Sequence, residues 1–189
     1  MVINWYGENY FKIQSGKLVV LIDPTNNRAL RGADLIISTQ PASLIYEHPA
    51  EKKQFWVEHQ GEYEFSGIFI QGWRTDSQEG KEKTIYQLIW EDIKIAVFGY
   101  LTKETKEIKE VVVPEIKGSD IIIASPELND LIKTLKPKIF IPSLVDSKSL
   151  PSKLSKILGN IKINPEEKLV IKKKDLDGIF NLTIKCLNY

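Results

Sequence analysis

Apolar and polar positions in the first third of the chain change over in short runs, punctuated by turn residues. Residues 2–6, 10–14 and 17–22 read as strands, separated at Gly7-Glu8-Asn9 and Ser15-Gly16. Residues 33–39 are β-branched and apolar on both faces, the pattern of a central strand covered on two sides. Further strands are predicted over 55–57, 63–65, 68–71, 84–90 and 93–98, the last two as a hairpin around Glu91-Asp92. After Gly99 the texture becomes alternating strand and helix. Residues 102–111 are charged and specify no element. Residues 120–124 form a buried strand, and Ser125-Pro126 opens a helix with Ser as N-cap that runs to Lys136 before Pro137. A strand over 138–141, a helix over 150–158 closed by Gly159, and strands in the tail over 168–189 complete the pattern. With no long linker or short repeat, the reading is one α/β domain over 1–189 with β-rich ends.

Composition narrows the class. The 189 residues are 42% hydrophobic and 27% charged, with 11 Gly and 9 Pro, which excludes a disordered, collagenous or coiled-coil chain. Lys+Arg 26 against Asp+Glu 25 leaves +1, so no global field draws in nucleic acid or an anionic membrane. Apolar runs such as Leu18–Ile22 are far too short to span a bilayer, and the opening Met1-Val2-Ile3-Asn4-Trp5 lacks the pattern of a signal peptide. A single cysteine, Cys186, forbids an internal disulfide. The expectation is a soluble cytoplasmic protein with no membrane partner. Only two histidines, His48 and His59, are present, so a histidine-built metal centre cannot be assembled.

Several segments, in order and nearly spanning the chain, resemble the metallo-β-lactamase superfamily, in particular its ascorbate-phosphate-lactonase-like branch. They are Ile3-Asn4-Trp5-Tyr6-Gly7 with Tyr10-Phe11-Lys12-Ile13, Leu21-Ile22-Asp23-Pro24, Ala33-Asp34-Leu35-Ile36-Ile37-Ser38-Thr39, Gly61-Glu62-Tyr63-Glu64, Gly67-Ile68-Phe69-Ile70-Gln71-Gly72 and Leu135-Lys136-Pro137-Lys138-Ile139-Phe140-Ile141-Pro142. The resemblance implies an αβ/βα sandwich of two mixed β-sheets flanked by helices. It also implies a metal site at the strand ends, and there the chain departs from the family. The His-x-His-x-Asp-His ligand positions fall on Gln40, Ala42, Leu44 and Ile45. A later histidine falls near Ser77, the bridging aspartate on Tyr100, the last histidine on Leu144, and the first-hairpin histidine on Glu8. Leu, Ile and Ala carry no donor atoms, and without the ion the hydroxide that this fold uses is not generated at neutral pH. The resemblance therefore implies a degenerate member with no catalytic residue, no metal and no cofactor.

The remaining chemistry has bland and sharp readings side by side. Gln40 is a solvated strand end or an amide ligand contact. Tyr100 fills the space of an ion or acts as a phenol acid. Asp23 holds a turn. Glu62 and Glu64 share one strand face, as solvated carboxylates or an acid–base pair. His48 and His59 read as exposed loop residues. Lys172-Lys173-Lys174 reads as a guard on an edge strand, Trp73-Arg74 as a partner contact, and Cys186 as a small buried hydrophobe. Leu44, Ile45, Leu144 and Tyr100 are expected to fill the vacated cleft. The functional expectation is a pseudoenzyme acting as a binding or structural subunit, self-associating through edges such as 179–187 or docking a protein partner. The competing reading is a metal-independent hydrolase using Glu8, Tyr100 or Gln40; nucleic-acid binding is disfavoured by the charge balance.

Overall fold

Alternation within the first strands decides how they pair. In the computed structural model, which describes residues 1–25, 28, 30–40, 54–75, 82–145, 154 and 164–188, β1 (Val2–Trp5), β2 (Phe11–Ser15) and β3 (Leu18–Ile22) form an antiparallel meander. Ile3 lies opposite Ile13, and Ile13 opposite Val20, so one face of each strand enters the core. Parallel β4 (Leu35–Ile37) and β5 (Phe55–Val57) follow β3, and β12 (Leu169–Val170) returns to pair with β1, giving the order β12-β1-β2-β3-β4-β5.

The second sheet has the order β13-β11-β10-β9-β8-β7-β6. Its antiparallel half is β6 (Gly61–Phe65), β7 (Ile68–Thr75), β8 (Lys83–Trp90) and β9 (Ile93–Val97). Its parallel half continues through β10 (Ile121–Ala124), β11 (Ile139–Pro142) and β13 (Thr183–Ile184). Ile and Val side chains from both sheets interdigitate between them, each contributing about 1.5–3 kcal/mol on burial. A second core lies outside the seven-stranded sheet, under α1 (Val113–Ile116) and α2 (Asn129–Leu135). The expected sandwich of two mixed sheets with flanking helices is the architecture found. Among the described residues no helix is long and apolar enough to cross a membrane.

Local departures have physical causes. The strand expected over 33–39 is trimmed to Leu35–Ile37 because the Thr39 amide leaves the ladder for the Asp23 carboxylate. The charged stretch over 102–111 leads into a π-helical turn, Ile108–Val112, that buries Ile108 and Val112 and continues into α1. The Ser125 hydroxyl accepts the Glu127 N–H at 3.3 Å as expected, but Pro126–Leu128 is 3₁₀ before α2 begins, and Lys136 ends it in the left-handed region. The helix expected over 150–158 lies outside the described residues except for buried Leu154.

The tail is not all strand. Lys172-Lys173-Lys174 opens α3 (Lys173–Asp177), where the Asp175 carboxylate accepts the Lys172 N–H at 2.8 Å, so the run is no edge-strand guard. Its Lys173 ammonium instead reaches the buried Asp120 carboxylate at 3.0 Å, beside Lys138 at 3.4 Å. Leu176 on the same helix enters the core between the sheets.

Candidate functional site

Four backbone positions with left-handed φ mark one end of the sandwich: Glu8 (46°), Asp23 (44°), Gly99 (59°) and Leu144 (55°). Such angles cost an L-residue about 1–2 kcal/mol and persist where surrounding contacts fix them. Each lies where the chain leaves a strand or turns between two. The Leu144 N–H donates to the Glu8 carbonyl at 2.9 Å, and the Trp5 indole N–H to the same oxygen at 3.1 Å. The end of β11 is thereby tied to the β1–β2 turn. On the other side the Thr84 N–H donates to the Thr39 carbonyl at 2.7 Å, which ties the start of β8 to the end of β4.

Asp23 stands between these two ties. Its carboxylate accepts the Thr39 N–H at 2.7 Å, the Thr39 hydroxyl at 2.5 Å, and the Asn9 side-chain amide. Burial pushes the carboxyl up to about 6, against the lowering effect of these three donors. No cation among the described residues pairs with it. Asp23 is thus the turn-holding residue that the sequence suggested. Asn9 and Ser143 are both fully buried, and Asn9 Oδ1 and Ser143 Oγ have no hydrogen-bond partner.

The site-residue expectations divide cleanly. Glu8 and Leu144 are brought together through the Leu144 N–H bond. Gln40 and Tyr100 each follow one member of a touching pair, since a Cβ on Gly99 would run into the Thr39 side chain. The Tyr100 carbonyl accepts the Lys83 ammonium at 2.9 Å. Ala42, Leu44, Ile45, Ser77 and His48 lie outside the described residues. Leu144 is partly buried, with its backbone in the left-handed region.

The other singled-out residues lie elsewhere. His59 is exposed, and its carbonyl accepts the hydroxyls of Tyr63 and Tyr86 at 3.0 and 3.1 Å. Arg74 pairs with Glu82 at 2.6 Å on the surface, and Trp73 packs against the outer core. Cys186 is buried, and burial followed by the nearby Glu166 pushes its thiol up to about 11, so it is unreactive. Sequence reasoning missed Asn9, Lys83 and Ser143. Only Asn9, in a turn tripeptide, carried a visible signal.

The chemistry of this donor set does not fit zinc. Glu8, Gln40, Tyr100 and Leu144 offer one carboxylate, one amide, one phenol and one aliphatic group, whereas zinc favours imidazole and thiolate. Among the described residues no cluster of three or more His, Cys, Asp or Glu side chains could hold an ion.

With this geometry in view, comparison with known proteins is specific about family. Residues 2–143 match the beta-lactamase superfamily domain. The fold is similar to a candidate Zn-dependent hydrolase of the metallo-β-lactamase superfamily from Thermotoga maritima, at 18% identity and a TM-score of 0.68, covering 99% of each chain. It is also similar to Igni18, a metallo hydrolase from the archaeon Ignicoccus hospitalis, at 13% identity and TM-score 0.61 over 90% of this chain and 99% of that one. An isothiocyanate hydrolase from Delia radicum gut bacteria aligns at 12% identity and TM-score 0.64 with the same coverage. No curated protein matches the chain.

Proposed function

Because this chain belongs to the beta-lactamase superfamily domain family, we propose that it is a non-catalytic member of that fold, a binding or structural subunit built on a hydrolase scaffold. The observation that supports this reading most directly is the pairing of Glu8 with Leu144. The two positions that the resemblance aligns with a first-hairpin histidine and with the last histidine are joined by a backbone hydrogen bond, and their side chains are a carboxylate and an aliphatic group. The fold's water-activating chemistry needs an ion to lower the pKa of bound water, and these side chains supply no set of ligands for it.

The test is an assay of the purified protein against lactone, phosphodiester and β-lactam substrates, with zinc, with manganese and with chelator. Turnover indistinguishable from buffer in every arm is expected. Metal-dependent turnover would overturn the proposal. Metal-independent turnover lost in Glu8→Gln would establish the competing hydrolase.

A further inference from the structure

The outer face of the seven-stranded sheet is covered by helices over β9 to β11, but its β6–β7 end carries a groove of about 260 Å³. Strand register orders its side chains. Glu62 lies opposite Gln71 and Gln71 opposite Gln87, making one polar row across β6, β7 and β8. Two residues along, Glu64, Phe69 and Ile89 form the adjoining row on the same face. Phe69 is 53% exposed, a large aromatic surface open beside two carboxylates.

The floor of the groove is fixed in place. Gln87 is 7% exposed, and its amide nitrogen donates to the Ser119 hydroxyl at 2.9 Å. Ser119 in turn donates to the Ile116 carbonyl at 2.7 Å, so the loop after α1 holds the amide in one orientation. The bond to Ser119 uses one of the two amide N–H groups of Gln87, which leaves Oε1 as its acceptor and the second N–H as a donor. The polar row therefore offers a carboxylate at one end and a positioned amide at the other. Lys94, opposite Ile89 on β9, repels a cation from the far side of the apolar row, so the carboxylates at β6 are the attractive end.

This arrangement selects among ligands. An anion would face Glu62 and Glu64. A neutral apolar group would strip water from Gln87 Oε1 and Glu62 without replacing their hydrogen bonds. A guanidinium fits because its planar donors can bond acceptors on two sides, while it stacks on an aromatic ring and its stem covers aliphatic surface. A second β6 strand in antiparallel pairing would set four carboxylates against one another, which disfavours a second copy of this chain. Because β6 is the last strand of its sheet among the described residues, a ligand's main chain can run along that edge.

We propose that this groove takes the arginine side chain of an extended basic peptide, with the guanidinium over Gln71 between the Glu62 carboxylate and Gln87 Oε1, and the stem against Phe69 and Ile89. The inference is independent of whether the strand-end cleft is catalytic. The test is a titration of ¹⁵N-labelled protein with a blocked Gly-Arg-Gly peptide, its citrulline analogue and blocked arginine amide, read at the Gln71 and Gln87 side-chain amides. Shifts at both glutamines and along β6 are expected. Losing the charge in citrulline, or in the Glu62→Gln variant with an exposed substitution that leaves the fold intact, should weaken binding about tenfold. The amino-acid amide should bind more weakly than the peptide. Equal response to arginine and citrulline, shifts centred on Glu8 and Tyr100 instead, or no response at millimolar peptide would each overturn the assignment.

Discussion

Thr39 grips Asp23 with two donors at once, its backbone N–H at 2.7 Å and its hydroxyl at 2.5 Å. The contact welds the end of β3 to the end of β4, and with Asn9 it draws in the β1–β2 turn.

That carboxyl titrates near 3.8 when exposed and at about 6 in the folded chain. Between these values the folded state holds a proton that the unfolded state has lost. The stability associated with Asp23 is therefore full below about pH 4 and declines as pH rises through 6, by roughly 3 kcal/mol in all. Urea unfolding from pH 4 to 8 should show this decline in the wild type relative to Asp23→Asn, whose curve should be flatter. A difference between the two that grows in favour of the wild type with rising pH would contradict it.

Asp120 has the opposite sign. Burial opposes its ionisation, but the Lys94 N–H, Lys173 and Lys138 outweigh that and hold the carboxyl below its ordinary range. Its contribution is present above about pH 4 and is lost as pH falls through the lowered value. Asp120→Asn should cost about 1–3 kcal/mol at pH 7 and remove the acid-side loss. A variant as acid-sensitive as the wild type would show that other carboxylates govern that limb.

Gly99→Ala should be much worse than Gly16→Ala, although both glycines have similar left-handed φ, 59° and 56°. A Cβ at Gly16 meets nothing, whereas at Gly99 it meets Thr39. The backbone alone costs about 1–2 kcal/mol at either site, and overpacking at Gly99 adds about 1–3 kcal/mol more. Matching losses in thermal unfolding would mean that Thr39 moves freely aside.

Zinc, manganese and chelator are expected to leave the melting temperature unchanged, since an ion that binds only the folded state must raise it. A rise with zinc that reverses on chelation would locate an ion site and undo the non-catalytic reading.

Self-association is expected at the β13 edge, which lies beside Phe180, 91% exposed, and whose outer side among the described residues is covered just beyond the strand by the Glu166–Leu187 bridge. Sedimentation should give multiples of 21.6 kDa, and Phe180→Ser should shift the population toward monomer. A monomer at every concentration would refute it.

Strand periodicity was legible wherever one face is wet and the other buried, as in β1 to β3 and β6 to β9. It blurred where a side chain overrode the ladder, as Asp23 does in pulling Thr39 out of β4. It failed at Lys172-Lys173-Lys174, where a local cap from Asp175 and a contact with Asp120, far away in sequence, decide for a helix. At the strand ends, the absence of ligand-type side chains could be read directly from Gln40, Tyr100 and Leu144. Their mutual placement could not, because it depends on backbone bonds such as Leu144 to Glu8. The groove on β6 to β8 was half visible. Glu62 and Glu64 announce a shared face, but the orientation of Gln87 depends on Ser119, 32 residues away.

The pairing of β12 with β1 has a consequence for how the chain reaches this shape. Met1 and Ile171 exchange backbone hydrogen bonds at 3.0 Å in both directions across 170 residues. Loop-closure entropy must be spent before so distant a contact returns anything, so this strand joins late, after the local hairpins of β1 to β3 and β6 to β9 have formed. During synthesis at about 5–20 residues per second, the outer edge of β1 waits unpaired for roughly 10–30 s before β12 emerges. The interval in which this protein is exposed to mispairing is therefore set by translation speed rather than by the strength of any one contact.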